Sequence, residues 1–321
     1  MHYLLQRLFQ EVGNVPVLQM SGAALHSVIL KFLREYVETR FGGLANRTPR
    51  FAYLISRLAD SAQAVARRIA EELAQSAFEP VDFELPIGGS IPSLEIPLPD
   101  GGKVVIDGKI DRVDLMEREG IRYLRVVDYK TGQKEFRISD VLYGMNLQML
   151  IYLAALCENG KRRYGTTRPA GVLYMPANRP SPAAERGIGR EKLEKVCRKQ
   201  LRMDGLILND AKVVEGMEPD GKGTFLPVTL KGGVPSGAGH LITERELRQV
   251  FRYIRSLIAD MAAGLKAGKI AAVPLSGGYD ACAWCPYAAV CGHERDDPER
   301  EMQKWDRDAA MKEFSKGGKK S

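Results

Sequence analysis

The stretch "VVDYKTG", residues 126–132, sets an Asp and a Lys two positions apart at the end of a β-branched run. In an extended strand, residues i and i+2 share a face, so Asp128 and Lys130 are neighbours by geometry. Two charges on a strand that should be buried are costly unless they are paired or hold an ion. The plainer reading is a strand-end ion pair, which is the commoner meaning of an isolated D-x-K. The sharper one is a metal-dependent active site, and the surrounding sequence has to decide between them.

Upstream, "KVVIDGKIDRVDLME" (103–117) reads as a strand, and "IRYLRVVDYKTG" (121–132) as its partner, joined by a short turn at Glu119–Gly120. Such a turn makes the pair a hairpin. Asp111 and Asp128 then lie at similar distances from the turn, as cross-strand or diagonal neighbours within reach of a common ion. Two carboxylates, a backbone carbonyl and waters are the oxygen ligands that Mg²⁺ or Mn²⁺ prefers. A lysine beside them can orient an attacking water and offset charge developing on a phosphate. That inventory suits metal-dependent phosphodiester hydrolysis.

The flanking sequence supplies the rest of an α/β core. In "SGAALHSVILKFLREYVETRF" (21–41), Leu25, Val28, Ile29, Phe32, Leu33 and Tyr36 recur at helical spacing, with Ser21 as N-cap. A second helix is expected over roughly 50–75; its Arg57, Arg67 and Arg68 face either solvent or phosphate. A Pro- and Gly-rich connection (80–103) reads as extended segments broken by turns. "NLQMLIYLAALC" (146–157) is an apolar helix and "AGVLYMPA" (170–177) a buried strand. The order helix, strand, strand, helix, strand is that of an α/β domain.

Residues 1–175 are thus expected to hold the N-terminal helices and the core, and 176–242, rich in Gly, Pro and charge, to be an insertion with one helix near 190–203. Residues 243–295 carry a long helix, ended by Gly264 or Gly268, and a cysteine cluster; 296–321 are a charged tail, a marginal helix or disordered.

The chain has 321 residues, is 45% hydrophobic and 27% charged, and carries a net charge of +7. Those fractions are ordinary for a globular protein, and the charge leans mildly toward an anionic partner such as nucleic acid. No apolar run reaches the length of a membrane span, and the N-terminus lacks a signal-peptide pattern, so a cytoplasmic protein is expected. There is no G-x-x-x-x-G-K-[ST] loop, so nucleotide hydrolysis by that route is not expected of it.

Two polar features stand on apolar helices. His26 lies on the first, where a lone histidine is more often a satisfied core residue than a ligand. Gln148 and Tyr152 are four apart on the later helix, hence on one face. Of the five cysteines, three cluster in "CAWCPYAAVC" as Cys282-x2-Cys285-x5-Cys291. This spacing suggests thiolate ligation of zinc or an iron–sulfur cluster, with three free thiols as the alternative.

Taken together, His26, "GKIDRVD", "VVDYKTG" and "LQMLIY" resemble the RecB-type branch of the PD-(D/E)XK nucleases over about residues 20–175, in particular the C-terminal nuclease domain of AddB-type helicase–nuclease subunits. The resemblance implies a restriction-endonuclease-like α/β core, a mixed central sheet flanked by helices, with a C-terminal Cys-rich staple. It implies that Asp111, Asp128, the Tyr129 carbonyl and His26 hold Mg²⁺ or Mn²⁺, that Lys130 is the catalytic lysine, and that Gln148 and Tyr152 position lysine and DNA. The implied activity is Mg²⁺-dependent cleavage of single-stranded DNA, as an exonuclease fed by a helicase subunit or a missing helicase region, in double-strand-break repair. A full-length protein of that type is far longer than this chain.

In AddB-type relatives a fourth Cys before the first helix joins the counterparts of Cys282, Cys285 and Cys291 around a [4Fe–4S] cluster. Here no cysteine precedes His26. Either the chain is a fragment, or Cys157, Cys197 or His2 fills the place. Three rival readings stand beside this one: a CRISPR-adaptation exonuclease of the same superfamily, a non-catalytic DNA-binding module, and a zinc-ribbon scaffold.

Overall fold

The computed structural model describes residues 1–43, 47–132, 135–180, 187–237, 239–294 and 296–317. The chain opens with α1 (His2–Glu11), α2 (Asn14–Gln19), α3 (Gly22–Phe41) and α4 (Pro49–Gln75). Strands β1 (Glu79–Ile87), β2 (Leu94–Pro97), β3 (Lys103–Ile106), β4 (Gly108–Arg118) and β5 (Ile121–Lys130) follow. Next come α5 (Leu147–Asn159), α6 (Lys161–Tyr164), β6 (Thr167–Pro176), α7 (Arg190–Gln200), β7 (Asp204–Leu208) and α8 (Ala211–Met217). Three short strands, β8 (Thr229–Lys231), β9 (Val234–Ser236) and β10 (Leu241–Ile242), lead into α9 (Glu244–Lys266). The remaining elements are β11 (Leu275–Ser276), α10 (Ala288–Cys291), β12 (Arg300–Glu301) and α11 (Arg307–Ser315).

These elements fall into two compact units. The first comprises Met1–Ser93, Asp107–Phe136 and Tyr152–Glu244; the second comprises Leu94–Ile106, Arg137–Ile151 and Arg245–Ser321.

The first unit is built on a mixed six-stranded sheet in the order β1-β4-β5-β6-β7-β10. β4 runs antiparallel to both β1 and β5, β6 runs parallel to β5, β7 antiparallel to β6, and β10 parallel to β7. Residues 176–242, read from composition as an insertion, therefore supply β7 and β10 to the sheet; within that stretch Ser181–Arg186 and Ala238 lie outside the described residues. The β4–β5 turn has φ of 53° at Glu119 and 73° at Gly120, the left-handed pair that suits the twist of a two-residue hairpin.

One sheet face is covered by α1, α3 and α4. Leu4, Leu8, Leu25, Ile29, Phe32, Val65 and Ile69 pack with Met116, Tyr123, Val127 and Tyr129 in one buried cluster. Local signals fix the helix starts: Ser21 Oγ accepts from the Ala24 N–H at 3.2 Å, and Thr48 Oγ1 from Phe51 at 3.3 Å, ahead of Pro49 at the first helical position. Leu124, Val126 and Val172, on the opposite face, are also buried, so the central strands read as near-continuous apolar runs.

Four charges lie inside that core. Arg112 and Arg125 both bind Asp114, at 2.8 and 2.7 Å, and Arg125 reaches Glu72 of α4 at 2.6 Å. All four side chains are buried, and the two cations balance the two anions. Arg112 also donates toward the Tyr129 hydroxyl at 3.4 Å, which ties this network to the strand that carries Asp128 and Lys130.

In the second unit, β2 and β3 pair antiparallel, and Lys266 of α9 forms an ion pair with Asp100 in their connecting turn. The C-terminal stretch, marginal by composition, is anchored. The Trp305 indole donates to the Tyr143 hydroxyl at 2.8 Å, Arg307 meets both oxygens of Glu246 at 2.9 Å, and Phe314 packs edge-on against Tyr253. Asp306 caps α11, accepting from Ala309 N–H at 2.7 Å. Residues 318–321 of that tail lie outside the described residues. No helix among the described residues is long and apolar enough to cross a membrane.

Candidate active site

The site is assembled by strand register. Pairing of Arg112 with Val127, carried one residue on, sets Asp111 opposite Asp128. Pairing of Phe83 with Arg112 and of Leu85 with Ile110 brackets Glu84 opposite Asp111 from the other side. Three carboxylates thus come together from β1, β4 and β5. Asp128 and Lys130 share the face that the two-residue period dictates, and their side chains meet at 2.6 Å.

Tyr129, between them, serves the site through its backbone. Its N–H donates to Asp111 Oδ2 at 2.8 Å, and its carbonyl lies 3.1 Å from His2 Nε2. His2 Nδ1 is 3.2 Å from Asp111 Oδ1 and 3.7 Å from Glu84 Oε1. The Asp111 hydrogen bond raises the His2 pKa against the opposing effect of burial. Burial pushes the Asp128 carboxyl up, and the charge of Asp111 adds to this, while Lys130 pulls the other way. Beneath them the Tyr129 phenol, turned toward α4, is raised to about 12 by burial.

Ligand atoms of His2, Glu84 and Asp111 all lie within 4.8 Å of one another. Hard carboxylate oxygens with one imidazole and a backbone carbonyl form a donor set that suits a small divalent cation. The Lys109 ammonium pairs with Glu84 at the edge of this cluster. The residues present fit a divalent ion, and the ones that would hold it are His2, Glu84 and Asp111, with the Tyr129 carbonyl beside them.

Two of these were not anticipated from sequence, and one expected residue is elsewhere. His26 points to Asp60 of α4, at 3.4 Å, rather than into the carboxylate cluster, so the imidazole at the site belongs to His2. The helical spacing that makes α3 amphipathic puts its apolar face on the core and leaves His26 at the α3–α4 seam. His2, considered above as a fourth thiolate-site ligand, is engaged at the carboxylates instead. Glu84 carries a signal visible only in the backbone: φ of +52° in mid-strand.

Tyr152 lies on α5 and packs onto the start of β4, where a Cβ at Gly108 would sit 2.6 Å from its hydroxyl. Gln148 is exposed, one turn earlier on α5, in the part of that helix belonging to the second unit. The arginines of α4 do not form a phosphate-facing row. Arg67 donates to the carbonyls of Leu18 and Met20, and Arg68 is buried over the Phe225 ring at 3.9 Å with a hydrogen bond to the Thr224 carbonyl. Arg57 is exposed.

Cys282, Cys285 and Cys291 are exposed free thiols in the second unit, whose described residues hold no other cysteine. Slight desolvation and the neighbouring Asp280, Cys285 and Cys291 raise the Cys282 thiol. Cys157, in the first unit, is pushed up to about 12 by burial within α5. Cys197 lies half-buried on α7.

An antiparallel hairpin that presents opposed aspartates and a lysine two residues on, set in a mixed sheet between helices, defines the restriction-endonuclease-like class. The chain belongs to the PD-(D/E)XK nuclease superfamily, whose sequence model matches residues 1–292. Among curated proteins it is similar to an ATP-dependent helicase/deoxyribonuclease subunit (AddB type) of Clostridium acetobutylicum, at 30% identity over 299 residues, 91% of this chain and 26% of that protein. The like-named protein of Thermoanaerobacter sp. strain X514 is 34% identical over 77% of this chain and 22% of its own. That of Acetivibrio thermocellus is 33% identical over 82% and 24%, respectively. The chain therefore spans about a quarter of the length of the curated relatives it matches.

Proposed function

We propose that this chain is the nuclease domain of an AddB-like helicase–nuclease subunit, hydrolysing phosphodiester bonds of single-stranded DNA from an end with Mg²⁺ or Mn²⁺, in the cytoplasm and in the service of double-strand-break repair. The observation that carries the reading is the joint placement of Asp111, Asp128 and Lys130 on one hairpin, with the Tyr129 backbone holding Asp111. The relatives named as helicase/deoxyribonuclease subunits support both the substrate and a helicase partner.

When bound, the divalent ion supplies Lewis acidity at the scissile phosphodiester. The chain's own residues account for the rest. Asp128 holds the Lys130 ammonium in place, and Lys130 from there donates to an attacking water or to a non-bridging phosphate oxygen, where negative charge grows in the transition state. Tyr129 N–H fixes the rotamer of Asp111, so that its second oxygen faces the cluster. Tyr152, braced on Gly108, and Gln148, on the same helix, are assigned to positioning of the lysine and the strand. Cys282, Cys285 and Cys291 are assigned three of the four thiolates of a structural [4Fe–4S] cluster.

Degradation of end-labelled single-stranded DNA with Mg²⁺ tests the reading against Asp128→Ala and Lys130→Ala. Cleavage by the parent that both substitutions abolish is expected; a folded parent that leaves DNA intact with either metal would sink it.

A further inference from the structure

Past Lys130, within the first unit, the wall of the sheet opens into a cavity of about 540 Å³. That lies inside the roughly 300–1,000 Å³ typical of small-ligand sites. Its lining includes Lys130, Arg179, Lys199, Arg202, Asp204 and His240. Among the described residues, Arg179, Lys199 and Arg202 have no carboxylate partner, although most other basic side chains nearby are paired. Exposed guanidinium and ammonium groups converging on a concave wall focus a positive potential into it.

Asp204 does not cancel that charge. Asp204 Oδ1 accepts from the Gly205 N–H at 2.7 Å and lies 3.1 Å from His240 Nδ1, while Oδ2 accepts from the Phe136 N–H at 3.1 Å. The carboxylate is thus turned onto backbone and imidazole. His240 Nδ1 also lies 3.0 Å from the Gly205 carbonyl, which fixes the ring and leaves Nε2 for the cavity. Glu135 is the other carboxylate on the lining.

We propose that this cavity binds the phosphates of the DNA strand that flank the scissile bond, with Lys199 and Arg202 as the principal contacts and the imidazolium form of His240, oriented by Asp204, as a further donor. The inference rests on the nuclease reading above and adds to it a subsite for the sugar–phosphate backbone. Lys130 is common to both places, so a strand held in the cavity runs directly to the hairpin carboxylates. A basic wall of this kind contacts the sugar–phosphate backbone, which positions a strand without specifying its bases.

The test uses the full chain with two substrates. One is a single-stranded oligonucleotide of about a dozen residues; the other is the p-nitrophenyl ester of thymidine 5′-monophosphate, which has a scissile phosphodiester and no flanking phosphate. Lys199→Gln with Arg202→Gln is expected to raise KM for the oligonucleotide about tenfold, with kcat and ester turnover as in the parent. The salt dependence of oligonucleotide binding without divalent ion should flatten by about 0.7 in log–log slope per lost contact. Charge-preserving Lys199→Arg and Arg202→Lys, which share the fold risks of the neutral pair, should restore both values. Unchanged KM and slope in the neutral pair overturn the proposal, as does an equal loss on the ester, which would put these residues at the chemistry. A parent that cleaves neither substrate refutes the nuclease reading, and the binding slopes then still decide for or against the cavity.

Discussion

Glu84 stands opposite Asp111 across the β1–β4 pair with a φ of +52°, a conformation that side-chain-bearing residues avoid in a strand. Left-handed backbone at a non-glycine position costs on the order of 1–3 kcal/mol and persists where the surroundings impose it. Here the surroundings are His2, at 3.7 Å, and the paired Lys109. The strained residue is the one that brings the third carboxylate to the cluster.

Replacing Glu84 by Asn keeps a side chain that tolerates this φ while removing the charge. Stability in denaturant should stay within about 1 kcal/mol of the parent. Mn²⁺ is expected to raise the Tm of the parent, and that rise should shrink in Glu84→Asn because one donor is gone. An undiminished Mn²⁺ effect in Glu84→Asn would place the ion elsewhere.

The buried quartet makes a sharper stability prediction. Glu72→Ala leaves Arg125 in the core with half of its countercharge removed, and breaking a buried pair in this way costs about 3–5 kcal/mol. Equilibrium unfolding in urea measures it directly. A loss below about 1 kcal/mol would show that water reaches Arg125 and that the network is not closed.

Gly108 is required by a neighbour rather than by its backbone. A methyl group there would meet the Tyr152 hydroxyl at 2.6 Å, so Gly108→Ala should destabilise by about 1–3 kcal/mol through overpacking. Combining it with Tyr152→Ala should recover part of that loss. The double-mutant cycle is the measurement, and strict additivity would disprove the contact.

His240 and Asp204 predict a pH window for stability. The Asp204 hydrogen bond raises His240, so its contribution is complete below the unfolded value of about 6.5 and fades as pH climbs through the raised folded value. Asp204 is held below the usual carboxylate range by His240 and by the backbone amides of Phe136 and Gly205, against the cost of its burial. Its contribution is complete above about 4 and is lost as pH falls through the depressed value. Parent and His240→Gln should therefore differ most between about pH 4 and 6.5 and converge in alkali. A difference that grows toward pH 9 would reverse the assignment.

How far the sequence could be read depended on how local each signal was. The β4–β5 hairpin announced itself through Glu119–Gly120, and the two-residue period then put Asp128 and Lys130 together. The start of α3 was legible from Ser21, and its buried face from the helical spacing of Leu25, Ile29 and Phe32. His2 was not, because its partner Tyr129 is 127 residues away and no local pattern encodes that meeting. Glu84 was hidden in a Pro-rich stretch that resembled a loop. β7 and β10 are so short that only their neighbours make them strands, and the surrounding Gly and Pro masked them. His26 shows the converse: a histidine in the expected helix, turned by its place on the helix toward Asp60.

The two left-handed residues at Glu119–Gly120 have an effect at the far end of their hairpin. They lie roughly 25 Å of extended chain from Asp128, at about 3.3 Å per residue, yet they index everything beyond them. Slipping β5 by a single residue would turn Val127 and Tyr129 outward and drive Asp128 and Lys130 against Glu72 and the apolar side of α4. Nothing at the carboxylates prevents that exchange until the strand has already zipped. The turn acts as the stop that decides, before any charge is in place, which side of the sheet will carry chemistry and which will carry the core.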